Sequence, residues 1–101
     1  VGNDIKILPV QEILYIEAYD DYVKLHTKDG LHLKKKTMSF FESALNPTQF
    51  VRVHRSYIIA LSQLTKIEVK EKDSHVAKMK DGTVVPMSKS GYSKLREVLG
   101  L

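Results

Sequence analysis

The chain has 101 residues, with 16 Lys and Arg against 12 Asp and Glu, a formal charge of +4 and a pI near 9.3. This length fits one domain with one modest core, and the mild positive balance leans toward an acidic polymer or surface as partner. The absence of cysteine excludes disulfides and thiolate metal sites and suits a reducing cytoplasm, while no apolar run approaches the roughly 20 residues that span a bilayer, so no membrane partner is expected.

In chain order, Ile5-Lys6-Ile7 alternates as a short strand, and Pro9 then interrupts regular pairing. Ile13 to Ala18 reads as a mostly buried strand, and Tyr19-Asp20-Asp21 as a turn. Tyr22 to Thr27 alternates with Val23 and Leu25 on one face and Tyr22, Lys24 and His26 on the other. Lys28-Asp29-Gly30 carries an Asp-Gly hairpin signal before Leu31 to Lys34 alternates again, which completes a three-stranded meander.

The period then changes. Met38, Phe41, Ala44 and Leu45 recur at helical spacing behind Thr37 in the N-cap position, and a short helix is expected to end before Asn46-Pro47. Phe50 to His54 is a strand, whereas Ser56 to Ser62 is apolar enough to continue it or to form one buried helical turn. Thr65 to Val69, His75 to Met79 and Thr83 to Met87 alternate around turns at Glu71 to Ser74 and Asp81-Gly82, a second meander. Tyr92, Leu95, Val98 and Leu99 after Ser90 form the apolar stripe of a C-terminal helix, with Lys94, Arg96 and Glu97 in solvent. The expected class is mainly β: small packed antiparallel sheets with one short internal helix and a C-terminal helix. The start at Val1 rather than Met reads as a module, residues 1–101, excised from a longer protein.

Catalysis finds little support. His26, His32, His54 and His75 lack metal-ligand spacing, and Ser56, two residues beyond His54, has no nucleophile elbow or oxyanion loop with it. Asp20 and Asp21 read as solvated turn carboxylates, and no glycine-rich phosphate loop is present. No cofactor is implied. Binding is the reading that remains. Phe50-Val51-Arg52-Val53-His54-Arg55-Ser56-Tyr57-Ile58-Ile59 sets two arginines and a histidine in an otherwise apolar run, and Arg presents a rigid fork of donors matched to phosphate oxygens and to the guanine edge. Further basic or hydrogen-bonding residues fall at strand ends: Tyr22 and Lys24, Lys34 to Lys36, and Ser88-Lys89-Ser90. Each alone reads sooner as a solvated surface residue than as a contact; only their joint placement points to nucleic acid.

The same central stretch, followed by Ile67 and by Asp81-Gly82-Thr83-Val84-Val85-Pro86-Met87-Ser88-Lys89-Ser90, resembles the LytTR family of bacterial DNA-binding domains. Ile13 to Ala18 with Asp21-Tyr22-Val23 is similar to the family's opening strands. The resemblance implies a mostly β fold that serves as the output domain of response regulators, behind a receiver phosphorylated by a sensor kinase. It also implies loops that enter successive major grooves of double-stranded DNA, commonly with two domains, a possible dimer, on repeated half-sites. Matched by motif, the contact residues are Asp20, Asp21 and Tyr22, then His54, Arg55 and Ser56, then Ser88, Lys89 and Ser90, with Lys24 and Arg52 beside them. Two departures stand out: Asp21-Tyr22 replaces a frequent basic group, and Lys89 stands where Arg is frequent, keeping the charge but not the fork. Arg55 is the expected principal reader, with Lys89 second. The rival readings are a protein-interaction module that pairs through a β-edge and an RNA-binding barrel displaying Tyr15, Tyr19 and Tyr22.

Overall fold

The computed structural model describes residues 9–101, so the expected strand at Ile5 to Ile7 lies outside the described residues. A 3-10 turn at Val10–Glu12 leads into β1 (Ile13–Tyr19), β2 (Tyr22–Thr27) and β3 (Gly30–Lys34). Helix α1 (Met38–Ala44) follows, then β4 (Phe50–His54), β5 (Tyr57–Ala60), a 3-10 turn at Leu61–Gln63, β6 (Leu64–Val69), β7 (His75–Met79), β8 (Val84–Met87) and α2 (Lys89–Leu99). The first five strands form one antiparallel sheet in the order β3-β2-β1-β5-β4, and the last three form a second in the order β6-β7-β8. This is the mainly β architecture expected, with both meanders in place.

The five-stranded sheet is buried on both faces at β1, β5 and β4. Ile13, Ile16, Val23, Leu25, Phe50, Ile58 and Ala60 pack with Met38 of α1 on one side. Tyr15, Val51, Val53 and Ile59 pack on the other against Ala77, Met79 and Val85 of the second sheet and Leu95 of α2. A register shift in the β1–β2 ladder between Ile13 and Tyr15 lets Ile13 and Ile16 share one face while Tyr15 turns to the opposite one. Each fully buried aliphatic side chain contributes about 1.5–3 kcal/mol, so much of the fold's stability resides at the sheet's centre.

Three local readings are corrected. The segment from Ser56 to Ser62 neither continues β4 nor forms a buried α-helical turn: the chain reverses at Arg55-Ser56, and β5 runs back antiparallel to β4. The first Asp-Gly signal is shifted by one position, because Gly30 pairs with Thr27 as the first residue of β3 and Lys28-Asp29 form the connection. Thr27 holds that turn by donating its hydroxyl to Gly30 O at 2.8 Å and accepting from Asp29 N at 3.2 Å. Finally α2 begins two residues early, so Lys89 and Ser90 occupy its first turn rather than a preceding loop, with Ser88 as N-cap.

The second sheet and α2 are tied to the first through β4. Ser88 N donates to Val53 O at 2.9 Å, and Gly91, buried, sits so close that a Cβ there would run into the Val53 backbone. Only a residue without a side chain permits that approach.

Candidate nucleic-acid interface

Pairing geometry brings the three expected contact segments to one end of the molecule. Asp20-Asp21 closes the β1–β2 hairpin, with Tyr19 opposite Tyr22. Arg55-Ser56 closes the β4–β5 hairpin, and because Glu17 faces Tyr57 across β1–β5 and Ala18 N donates to Ser56 O at 2.9 Å, the second turn lies beside the first. The Ser88–Val53 hydrogen bond then delivers the start of α2 to the end of β4.

The second turn is held by its own neighbours. His54 Nδ1 accepts from Ser56 N at 3.1 Å and the ring meets Tyr57 edge-on, with centroids 5.8 Å apart. Nδ1 therefore carries a lone pair, and in the neutral imidazole Nε2 bears the proton. Arg52 reaches under the turn: Nη2 donates to Arg55 O at 2.6 Å and Nη1 to Glu42 Oε1 at 3.0 Å, while among the described residues its buried Nε finds no partner. Lys94 of α2 closes on the other oxygen, Glu42 Oε2, at 3.3 Å. The Arg52 guanidinium, with Lys94, holds the Glu42 carboxyl below its ordinary range against the opposing effect of burial.

Arg55 itself projects into solvent, as do Lys89 and Ser90. Ser88 is committed internally, since its Oγ accepts from Gly91 N at 3.0 Å as the helix cap. An open cleft of about 450 Å³ runs between the second turn and α2, lined by Glu42, Arg52, His54, Arg55, Ser88, Ser90 and Lys94. A second, of about 390 Å³, lies between the first turn and α1, where Asp20, Asp21, Tyr22 and Lys36 meet Arg52. Arg52 is the wall common to both. Tyr22 is exposed, and Lys24 Nζ lies 4.1 Å above the ring of Tyr19, which leaves that ammonium at the edge of the first turn.

Of the expected contact residues, the fold thus brings Asp21, Tyr22, Lys24, Arg52, His54, Arg55, Ser56, Ser88, Lys89 and Ser90 to one end, and within that set Arg52 and Ser88 are already occupied by the protein. Glu42 and Lys94 belong to the same site and were not singled out from the sequence. The available signal was that Glu42 has no cation three or four residues away on its own short helix, so its partner had to come from elsewhere.

It is the Ser56 amide rather than its hydroxyl that meets His54, so the pair is not arranged as nucleophile and base. Among the described residues no group of three His, Asp or Glu side chains is placed to hold a metal. Tyr15 is buried, stacked on His26 with ring centroids 4.1 Å apart, and burial raises its phenol pKa. It cannot complete an exposed aromatic row with Tyr19 and Tyr22.

Residues 3–100 match the family model described as the LytTr DNA-binding domain. This chain belongs to that family. Its LytTr domain is similar to a solved LytTr DNA-binding domain of a putative methyl-accepting/DNA response regulator from Bacillus cereus, with TM-score 0.86 and 28% identity over 93% of this chain and 86% of that one. Among curated proteins it is 28% identical to the sensory transduction protein LytT of Bacillus subtilis over 98% of its own length. It is 29% identical to the CO-responsive transcriptional regulator RcoM of Rhodospirillum rubrum over 100%, and 28% to the transcriptional regulatory protein YpdB of Escherichia coli over 94%. The LytTr domain spans about two fifths of the length of these relatives, 41%, 43% and 39% respectively. It is a DNA-binding domain of the kind found in transcriptional regulators. No helix among the described residues is long and apolar enough to cross a membrane.

Proposed function

We propose that this domain reads double-stranded DNA sequence-specifically as the output module of a two-component response regulator. In this reading the three segments at the end of the sheet enter the major groove, Arg55 contacts a guanine edge or a phosphate, and Lys89 at the positive end of α2 contacts phosphate. Two copies occupy repeated half-sites, and an upstream receiver, phosphorylated by a sensor kinase, governs that pairing in the cytoplasm, where the DNA is. Residues 1–101 act as one domain, and no cofactor takes part. The observation that carries the reading is the convergence of the Asp20-Asp21 turn, the Arg55-Ser56 turn and the Ser88-capped start of α2 at one end, with Arg55 and Lys89 exposed there.

One observation favours a second reading. Strand β3 is an edge of the five-stranded sheet and exposes Leu31 and Leu33, 52% and 53% accessible, as an interaction module that pairs through a β-edge would. Selection from a pool of random duplexes at moderate salt separates the two. Recovery of a short motif repeated about one helical turn apart, with affinity falling steeply as salt rises, supports DNA reading. No enrichment above background, or retention indifferent to salt, favours the protein-binding module.

A further inference from the structure

Arg52 and Lys94 stand in the cleft beside Arg55, yet a single carboxylate faces both of them. Glu42 takes Arg52 on one oxygen at 3.0 Å and Lys94 on the other at 3.3 Å, joining α1, β4 and α2 at one point. The same Arg52 guanidinium supports the carbonyl of Arg55 at 2.6 Å. A bare cleft with two uncommitted cations would attract any phosphate backbone, whatever its sequence.

We infer that Glu42 is a specificity-determining residue of the DNA-reading surface, which withholds Arg52 and Lys94 from sequence-independent phosphate contact and keeps Arg52 in place as the support of the Arg55 turn. This rests on the DNA-reading function proposed above. Two observations agree with it beyond the distances. The Glu42 carboxyl is held in its charged form by Arg52 first and Lys94 second, so it remains an anion throughout the neutral range. And Arg52 is only 23% accessible with its Nε unpartnered among the described residues, so loss of Glu42 leaves a guanidinium short of an anion in the cleft beside Arg55, where a phosphate of a bound duplex could take the carboxylate's place.

The chemistry predicts opposite shifts for two kinds of duplex. Non-specific affinity rises when Glu42 loses its charge, because up to two cations become free, each adding up to about 0.9 to the slope of log K against log salt. Specific affinity falls, because the Arg55 turn loses its support. A residue that merely stabilises the fold would lower both together and leave the slope alone.

The test uses the domain with Glu42→Gln and Glu42→Ala, the duplex that the unaltered domain selects from the random pool, and a scrambled duplex of equal composition. Binding to both is titrated across salt, with thermal melting as a check on folding. The expected result is several-fold tighter binding to the scrambled duplex, weaker binding to the selected one, and a steeper salt slope for both variants. Adding Lys94→Gln to Glu42→Gln should remove about half of the added slope. Variants that match the unaltered domain on both duplexes and in slope overturn the inference, as does parallel weakening on both with an unchanged slope. Should the unaltered domain select no duplex, the DNA-reading function falls and takes the inference with it, an outcome recognisable before any variant is made.

Discussion

The two hairpin turns that share one end of the sheet are built differently. The Asp20-Asp21 turn is short and acidic; Asp20 adopts the left-handed region at φ 56°, a conformation that Asp tolerates better than most residues. None of the side-chain hydrogen bonds found in the described residues anchors it. The Arg55-Ser56 turn has no glycine, proline, Asn or Asp, and is instead fixed from three sides by His54, by Arg52 and by the Ala18 amide. The lesson is that local propensity can close a turn, but a turn meant to hold an exposed arginine in one place is closed by tertiary contacts. Preorganisation of that kind spares the ordering entropy that a loose loop would lose on binding.

The contrast can be broken most severely from below. Ile59 is fully buried in β5, opposite Tyr15 on β1 and Val51 on β4, so Ile59→Ala should cost about 2–5 kcal/mol and lower the melting temperature by roughly 10–20 °C. A loss under 1 kcal/mol in chemical denaturation would contradict a rigid floor beneath the second turn. Next comes Arg55→Ala, expected to leave stability within about 0.5 kcal/mol while costing roughly 1–3 kcal/mol in binding to the selected duplex, if it reads a base. Equal losses on a scrambled duplex would demote it to a phosphate contact. On the first turn, Asp20→Val should cost about 1–2 kcal/mol from the left-handed backbone alone, whereas Asp20→Gly should be nearly neutral. Matching stabilities for the two variants would show that the turn relaxes.

The smallest effect sharpens the comparison through pH. The Glu42 carboxyl is lowered in the folded state, so its ion pairs stabilise the fold above the ordinary carboxylate pKa, and that contribution is lost as pH falls through the lowered value. Because the side chain is 40% accessible, the effect should stay below about 1 kcal/mol. Melting of the unaltered domain should therefore decline slightly more between neutral and strongly acidic pH than that of Glu42→Gln; identical pH profiles would show the pairs to be solvated.

Much of the fold was legible because period-two alternation survives wherever a strand has one face on a core. Tyr22 to Thr27 reads cleanly for that reason, with Val23 and Leu25 inward and Tyr22, Lys24 and His26 outward. The Phe50 to Ser62 region was harder because it is covered on both faces, so Phe50, Val51, Val53, Ile58 and Ile59 are all buried and the pattern carries no period. The reversal at Arg55-Ser56 was hidden because its anchors, His54, Arg52 and Ala18, lie outside the turn. The start of α2 lies two residues before the point after Ser90 that the apolar stripe suggests, because the stripe begins only at Tyr92 and does not register a first turn of Lys89 and Ser90; Ser88 is the cap, its Oγ accepting from Gly91 N at 3.0 Å. In the site, the exposed cations were readable as clusters, but Glu42 and Lys94 lie 52 positions apart and meet only once α1 and α2 flank β4.

The close seat of Gly91 on Val53 has a metrical consequence. With the end of β4 and the start of α2 locked backbone to backbone, the separation between Arg55 and Lys89 is set by the chain and not by the ligand, as the marks on a ruler are. A duplex bearing one extra base pair within the half-site would displace its groove by about 3.4 Å and turn it by roughly a tenth of a revolution. The backbone seat of Gly91 on Val53 resists any shift of α2 along β4 that would follow it.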